Sequence, residues 1–302
     1  MKVLILHSLA PEGAEPGRMT DEFDLSSAVN GLRAALPEAA VAGVRGELRE
    51  VMEVLDTHQP DVVFNACEAP LGRPDLEAHV AALLEWLHIP FTGSGSAALA
   101  LCRRKDRTSA VLAAAGVPVP RTGVFPCIVK PADEDGSAGI DEQSICENEE
   151  ELVRARARIN GPVVIEEYLA GAEYTISLWG KDEPEYFSPA HMEFSNGLRV
   201  NTYASKWDIE SPDFGCTRLI YDLKLTPEFR GLLENTARAA WRAVGARGYM
   251  RIDLRLDGDG VPRVLDVNPN PELGEDVGIY RGVTEAGWTW EQFVRKQLEW
   301  AR

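Results

Sequence analysis

One stretch of this chain leaves the backbone few choices. Tyr249–Leu256 and Pro262–Asn268 alternate in character on either side of Asp257-Gly-Asp-Gly260, and an Asp-Gly pair between two such runs is a strong hairpin signal. Successive side chains of a strand leave opposite faces. Arg251, Asp253 and Arg255 therefore share one face, while Ile252, Leu254 and Leu256 share the core face. On the returning strand Val264, Asp266 and Asn268 share a face, with Leu265 and Val267 opposite. The pattern predicts that the oxygen ligands of Asp253, Asp266 and Asn268 meet across one face of the hairpin. A hard, incomplete, oxygen-only set suits Mg2+, whose other positions are filled by phosphates and water. Asp257 and Asp259 read as turn chemistry, because the Val-Pro-Arg-Val that follows lacks the spaced ligands of a calcium loop.

The rest of the chain gives that hairpin its setting. Residues 1–92 alternate strand signals (Lys2–Leu6, Val41–Val44, Asp61–Cys67) with helical ones (Asp24–Leu36, Glu47–His58, Asp75 to about Trp86). Such alternation implies a parallel sheet covered by helices, with ligands at the carboxyl ends of the strands. Thr92-Gly-Ser-Gly-Ser96 breaks the pattern. Residues 93–180 then mix helices near Lys105–Ala115 and Glu147–Arg158 with antiparallel-looking strands at Phe125–Lys130 and Val163–Glu167. In the final unit, 181–302, Thr226-Pro-Glu228 offers an N-cap, a first-turn proline and an acid for a helix whose stripe reads Leu232, Leu233, Ala237, Trp241 and Val244.

Charge and cysteine usage narrow the partners. Thirty-one Lys and Arg against 48 Asp and Glu leave a net charge of −17 among 302 residues. That balance argues against nucleic acid or an anionic membrane as partner. No apolar run approaches the roughly 18 residues of a membrane span, and the opening Met-Lys-Val-Leu-Ile-Leu-His-Ser reads as a strand and not as a signal peptide. Five scattered cysteines with no Cys-x-x-Cys pair suit reduced thiols in the cytoplasm.

Four further segments carry chemistry. Ile128-Val-Lys130-Pro131 ends an apolar strand on a cation, and Asp135-Gly136-Ser137-Ala-Gly139 after it can bring backbone N–H groups close to phosphate oxygens. The Gly-x-x-x-x-Gly-Lys-Ser/Thr pattern of a P-loop is absent. Val163-Val-Ile-Glu166-Glu167-Tyr-Leu169 runs an apolar strand into acids and on to Glu173, groups able to accept from an adenine amine and from ribose hydroxyls. Lys105 stands eleven residues before Gly116, and Lys206-Trp207 sits in a polar stretch. Taken singly, each is commonly a solvated surface feature.

In their order these pieces, with the lead-in Glu77–Thr92 and its Gly-Ser-Gly, resemble the ATP-grasp superfamily and, within it, the D-alanine–D-alanine ligase-like branch. The resemblance implies an α/β protein, α+β in its ATP-binding part, of three domains: an N-terminal parallel-sheet domain (1–92), a central ATP-binding domain (93–180) and a C-terminal domain with the metal hairpin (181–302). ATP would lie between the last two. By resemblance, Lys105 and Lys130 hold its phosphates under the loop Gly136, Ser137 and Gly139. Glu166, Glu167, Leu169 (through its backbone) and Glu173 hold adenine and ribose. Asp253, Asp266 and Asn268 hold one or two Mg2+, with Mn2+ an acceptable substitute. Arg251 stabilises charge on the reacting carboxyl, and Lys206 lies on a mobile loop that covers an acyl phosphate. The implied reaction joins a small-molecule carboxylate to an amine, and members of the branch are often homodimers.

The amino-acid end departs from the branch. Its His-Gly motif is replaced by Asn65-Ala-Cys-Glu68-Ala-Pro-Leu-Gly72, and its serine-containing substrate loop by Pro269-Asn-Pro-Glu272-Leu-Gly-Glu-Asp276-Val-Gly-Ile-Tyr-Arg281. Asp266 stands where the branch has Glu, and an early amine-binding Glu is matched only loosely by Asp24 or Glu22. The expectation is an amide- or dipeptide-forming ligase acting on amino acids other than a pair of D-alanines, with Asp24, Glu68, Trp207, Glu272, Asp276 and Arg281 as candidate substrate contacts. A kinase-like phosphotransferase and a non-catalytic nucleotide-binding module are the alternatives.

Overall fold

The structure, a computed structural model, describes residues 1–9, 26–275 and 278–302. The opening apolar run forms β1 (Val3–Ser8), followed by α1 (Ser26–Ala35), β2 (Ala40–Val44), α2 (Leu48–His58) and β3 (Val62–Ala66). These strands pair in parallel in the order β2-β1-β3. Every residue of β3 is buried, as a parallel sheet covered on both faces requires. After α3 (Glu77–Trp86), Phe91 adds a parallel bridge to Val63. The Gly/Ser break leads into α4 (Ser96–Cys102) and α5 (Lys105–Ala114).

A small antiparallel sheet comes next: β4 (Cys127–Pro131), β5 (Ile145–Cys146) and β6 (Val163–Glu167) in the order β5-β4-β6, with α6 (Glu149–Ala157) beside it. The Asn148 side chain caps α6 by accepting the Glu151 N–H at 3.1 Å. The larger antiparallel sheet holds β7 (Glu173–Gly180), β8 (Pro184–Phe194), β9 (Thr217–Ile220), β10 (Gly248–Leu256) and β11 (Pro262–Asn268), in the order β11-β10-β7-β8-β9. Helices α7 (Tyr203–Trp207), α8 (Pro227–Val244), α9 (Gly278–Glu285) and α10 (Trp290–Trp300) complete the described residues.

Strand β7 pairs with β8 and β10 along its whole length. A domain limit after residue 180 would cut this ladder, whereas one before Glu173 keeps it whole. As a proposal for the units, 1–92, 93–172 and 173–302 therefore follows the sheets better. The cores cross these limits. One face of the parallel sheet (Val3, Ile5, Phe64) shares a buried cluster with Trp179, Tyr249, Ile279 and Phe293 of the last unit. Cys102 and Leu112 of α4 and α5 pack with Leu233, Trp241, Ile252 and Leu254 on the large sheet.

Helix α8 starts as its sequence predicts: the Thr226 hydroxyl accepts the Phe229 N–H at 3.2 Å, with Pro227 at the first turn. Its stripe needs one correction. Leu233, Ala237, Trp241 and Val244 are buried, but Leu232 is 41% exposed, because one residue of helix turns it about 100° away from its neighbour's direction. We expect Leu233→Ala to cost about 2–5 kcal/mol and Leu232→Ala less than about 1 kcal/mol. Thermal unfolding of the two variants checks this, and equal losses would contradict the assignment.

Candidate active site

A cavity of about 130 Å³ lies between the small sheet and the β10–β11 end of the large one. Of the residues singled out in the sequence, Lys105, Lys130, Gly136, Ser137, Glu166, Glu167, Leu169, Glu173, Lys206, Arg251, Asp253 and Asp266 line it. Gly139 turns the loop back toward its strand at φ +71°, where a Cβ would stand 3.0 Å from the Pro131 ring. Asn268 opposes Arg251 in the hairpin register, and its Oδ1 accepts the Asn270 N–H at 2.9 Å.

The hairpin differs from simple alternation at one point. Asp253 opposes Asp266, but a bulge follows, so that Leu254 opposes Val264. A bulge sets two residues of one strand against one of the other. Val264 therefore turns into the core, and Leu265, expected on the apolar face, lines the cavity instead. Downstream of the bulge the alternation resumes, and Asp253, Asp266, Arg251 and Asn268 cluster as expected. Asp257 is turn chemistry: its carboxylate accepts from the Asp259 and Val261 N–H groups and pairs with Arg263.

Inside the cavity Lys105, Lys130, Arg251 and Arg255 each face an acid. Lys130, 7% exposed, pairs with the 5%-exposed Glu166 at 2.5 Å, and its Nζ donates to the Leu265 carbonyl at 3.2 Å. Lys105 Nζ donates to the Glu134 carbonyl and to Asp135, both at 2.8 Å, and lies 3.4 Å from Asp266. Burial pulls its ammonium down, but Asp266 and Asp135 more than offset this and leave it raised. Asp253 accepts from Thr175 at 2.8 Å and lies 3.3 Å from Arg251. Burial and the neighbouring Arg251 hold Lys206 below the ordinary lysine range. Burial pushes the Glu173 carboxyl up to about 7, against the pull of Arg255. Glu167 points its carboxylate at Arg121, which holds it below the usual range.

The covering segment docks on the glycine loop. The Trp207 indole N–H donates to the Gly136 carbonyl at 2.9 Å, and the Tyr203 N–H to that of Ile140 at 3.3 Å. Among the described residues no three His, Cys, Asp or Glu side chains converge as a metal-binding group. The donor set is two opposed carboxylates and an amide, which fits Mg2+, a cation usually held by one or two carboxylates plus substrate phosphates.

The proposed substrate contacts are less assembled. Glu68, Glu272 and Arg281 lie outside the cavity lining. Arg281 stacks 5.0 Å over Tyr221 and lies 3.8 Å from Glu285. Asp24 and Asp276 lie outside the described residues. Two features escaped the sequence reading. Arg103 pairs with Asp135 of the glycine loop. Asn270 joins three parts of the chain: its amide donates to Glu77 and to the Cys67 carbonyl (3.5 Å) and accepts from the Tyr249 hydroxyl at 3.1 Å. Nothing local marks Glu77, which lies 193 residues from its partner. Burial raises the thiols of Cys67 and Cys102 to about 12, consistent with packing roles. None of the helices among the described residues is long and apolar enough to cross a membrane.

Lysines and opposed carboxylates in a cleft between a small antiparallel sheet and a larger one mark an ATP-grasp enzyme. The fold matches that of the D-alanine–D-alanine ligase from Bacillus anthracis complexed with ATP, with a TM-score of 0.74 at 19% identity over 100% of this chain and 97% of that one. It also matches the VanG D-Ala:D-Ser ligase from Enterococcus faecalis (TM-score 0.75, 16% identity, 100% of both chains). Residues 102–299 match the family described as D-ala D-ala ligase C-terminus. The chain is 30% identical to the D-alanine–D-alanine ligase of Chromohalobacter salexigens over 263 residues, 81% of this chain and 79% of that one. It is 32% identical to that of Aromatoleum aromaticum over 218 residues, 67% of each. The chain belongs to the D-alanine–D-alanine ligase family, and its class is that of the ATP-dependent carboxylate–amine ligases.

Burial pushes the Glu77 carboxyl up to about 8, so native protein keeps a proton there that the unfolded chain releases above about 4.5. The native state binds more protons in that window, and stability falls as pH rises from about 4.5 to about 8, by up to about 1.4 kcal/mol per pH unit. We expect Glu77→Gln to flatten this decline in urea titrations at pH 5–8. Parallel curves for the two proteins would contradict it.

Proposed function

We propose that the enzyme activates a carboxylate as an acyl phosphate at the expense of ATP and passes it to an amine, with amino acids other than two D-alanines as substrates. The observation that carries the reading is the single cavity in which Lys105, Lys130, Lys206 and Arg251 converge on Asp253 and Asp266, with Glu166, Leu169 and Glu173 at its other end. Phosphoryl transfer asks a protein for positioning and charge neutralisation more than for a covalent nucleophile. In this reading Lys105 and Lys130 exchange Asp135, Asp266 and Glu166 for nucleotide phosphates. Arg251 orients the attacking carboxylate and offsets its charge, and Lys206 follows the phosphate from above. Asp253, Asp266 and Asn268 would hold Mg2+, which when bound supplies further neutralisation of the phosphate oxygens. Trp207 and the glycine loop exclude water, which would hydrolyse the activated acyl group.

The distinct substrates rest on the loop after Asn268. Asn270 is engaged with Glu77 and Tyr249, and Arg281 is turned onto Tyr221. These groups differ from the serine-containing loop of the resemblance, and that difference supports another pair of amino acids. Partners on this reading are a small carboxylate and a small amine, with no nucleic acid or membrane surface; a homodimer in the cytoplasm accords with it.

The test is phosphate release from Mg-ATP with L- and D-amino acids, singly and in pairs, followed by mass spectrometry. A requirement for a pair other than D-Ala with D-Ala, with a condensed mass, is expected. Condensation of D-alanine alone would overturn the substrate part, and a stable phosphorylated product the ligase part. Asp253→Asn and Lys206→Met should each lower release by at least about 100-fold, the scale of losing a preorganised charge. Lys130→Ala is a poorer probe, since it strands a buried Glu166 and destabilises by about 3–5 kcal/mol. Full activity in Asp253→Asn would remove the metal assignment.

A further inference from the structure

Arg255 has no part in the chemistry just described, yet it lines the same cavity. It is 6% exposed and lies opposite Glu173 in the β7–β10 register. Its Nη1 lies 3.6 Å from the Glu173 carboxylate, and its Nε donates to the Gly171 carbonyl at 3.0 Å. The guanidinium stands 5.2 Å from the Tyr168 ring and 5.5 Å from that of Phe194, contacts that fix its plane. An arginine carries five N–H donors, and Gly171 takes only the one on Nε, so others remain for a ligand in the cavity that Arg255 lines beside the Glu173 carboxylate.

Position along the strand says what that pair would meet. Asp253 stands at the phosphate end, and Arg255 follows two residues later on the same face, about 7 Å further at ~3.4 Å per residue. A nucleotide whose terminal phosphates lie by Asp253 and Asp266 brings its sugar to this depth. A ribose hydroxyl is both donor and acceptor. An ionised Glu173 can only accept, whereas Glu173 with Arg255 can satisfy both roles of a vicinal diol at once.

The geometry points to Arg255 as a specificity-determining residue that, together with Glu173, reads the ribose diol of the nucleotide. The inference rests on the nucleotide placement of the proposed function. It goes beyond that placement by assigning sugar selectivity to this arginine. Removing one hydroxyl leaves buried polar groups of the pair unmatched, and sites built to bond a hydroxyl reject analogues lacking it far more strongly than apolar pockets do.

The experiment is equilibrium binding of ATP, 2′-deoxy-ATP and 3′-deoxy-ATP in the presence of Mg2+, with phosphate release measured alongside. Wild-type protein should bind ATP at least about tenfold more tightly than both deoxy nucleotides. In Arg255→Met the ratio should collapse toward one, mainly through weaker ATP binding, and Arg255→Lys should recover part of it. Equal affinities of wild-type protein for all three nucleotides would overturn the inference without recourse to any variant. So would a uniform loss for all three in Arg255→Met, which is what a merely structural arginine gives. Selective binding would leave the inference standing whatever the phosphate release, whereas no binding of ATP at all would overturn both it and the nucleotide placement on which it rests.

Discussion

Lys130 is the side chain on which the cleft depends. It is nearly inaccessible, held by Glu166 on the neighbouring strand of its own sheet, and its remaining hydrogen bond goes to the Leu265 carbonyl across the cavity. A buried ammonium without a counter-charge costs several kcal/mol, so Lys130 must keep Glu166 until another anion arrives. The same holds for Lys105 between Asp135 and Asp266 and for Arg251 beside Asp253. The cavity is a set of cations and acids that neutralise one another, and on the proposed mechanism a polyanion entering with a divalent cation would replace partners instead of creating unpaired charge. This is how a chain of net charge −17 can hold a nucleotide: the favourable field is local and does not depend on the overall sign.

Two backbone irregularities make that exchange geometrically workable. The bulge after Asp253 sends Val264 into the core and presents Leu265 to the cavity, so the carbonyl that receives Lys130 comes from the residue a regular ladder would have hidden. The glycine loop turns through Gly136 and Ser137 in the left-handed region, at φ 61° and 64°, which exposes backbone on the cavity side. Because Gly136 accepts from Trp207 and Ile140 accepts from Tyr203, the loop and α7 are tied into one cover. Arg199 strengthens the tie through Glu142. On the proposed mechanism, a cover tied together in this way would exclude water from both phosphate and acyl group.

How much was legible in the sequence follows from how local each signal is. The parallel sheet, the hairpin and the α8 cap rest on periodicity and turn residues within a dozen positions, and they appear within a residue or two of their expected limits. Lys130, Glu166, Asp253 and Asp266 were readable because a strand points its residues in a known direction, and Lys105 through its place in the resemblance, at the start of a helix. The bulge was not, since period-two reasoning has no term for an inserted residue, and it misplaced Val264 and Leu265. Leu232 was misjudged because an apolar residue next to a stripe looks like part of it. Arg255 was placed on the correct face, but its meaning depends on Glu173, Tyr168 and Phe194, which approach it only in the folded sheet.

The amino-acid end resisted for a deeper reason. The proposed nucleotide end is mounted on β4, β6, β10 and β11, where a residue's direction is fixed by its strand. The other end hangs from the turn after β11, and that turn is fixed by Asn270 reaching Glu77 at the start of α3, the carbonyl of Cys67 after β3 and the hydroxyl of Tyr249 on β10. One amide thus joins the parallel sheet to the β10–β11 hairpin. The N–H of the same residue orients Asn268, so the position that tethers the N-terminal unit also aims the proposed metal ligand. With Asn270 committed to that task, selection between amines would, on the proposed reading, fall to side chains further along the loop and to those of the N-terminal unit. A site divided in this way keeps its phosphoryl chemistry on rigid sheets, while its substrate preference can change through a loop that the sheets do not constrain.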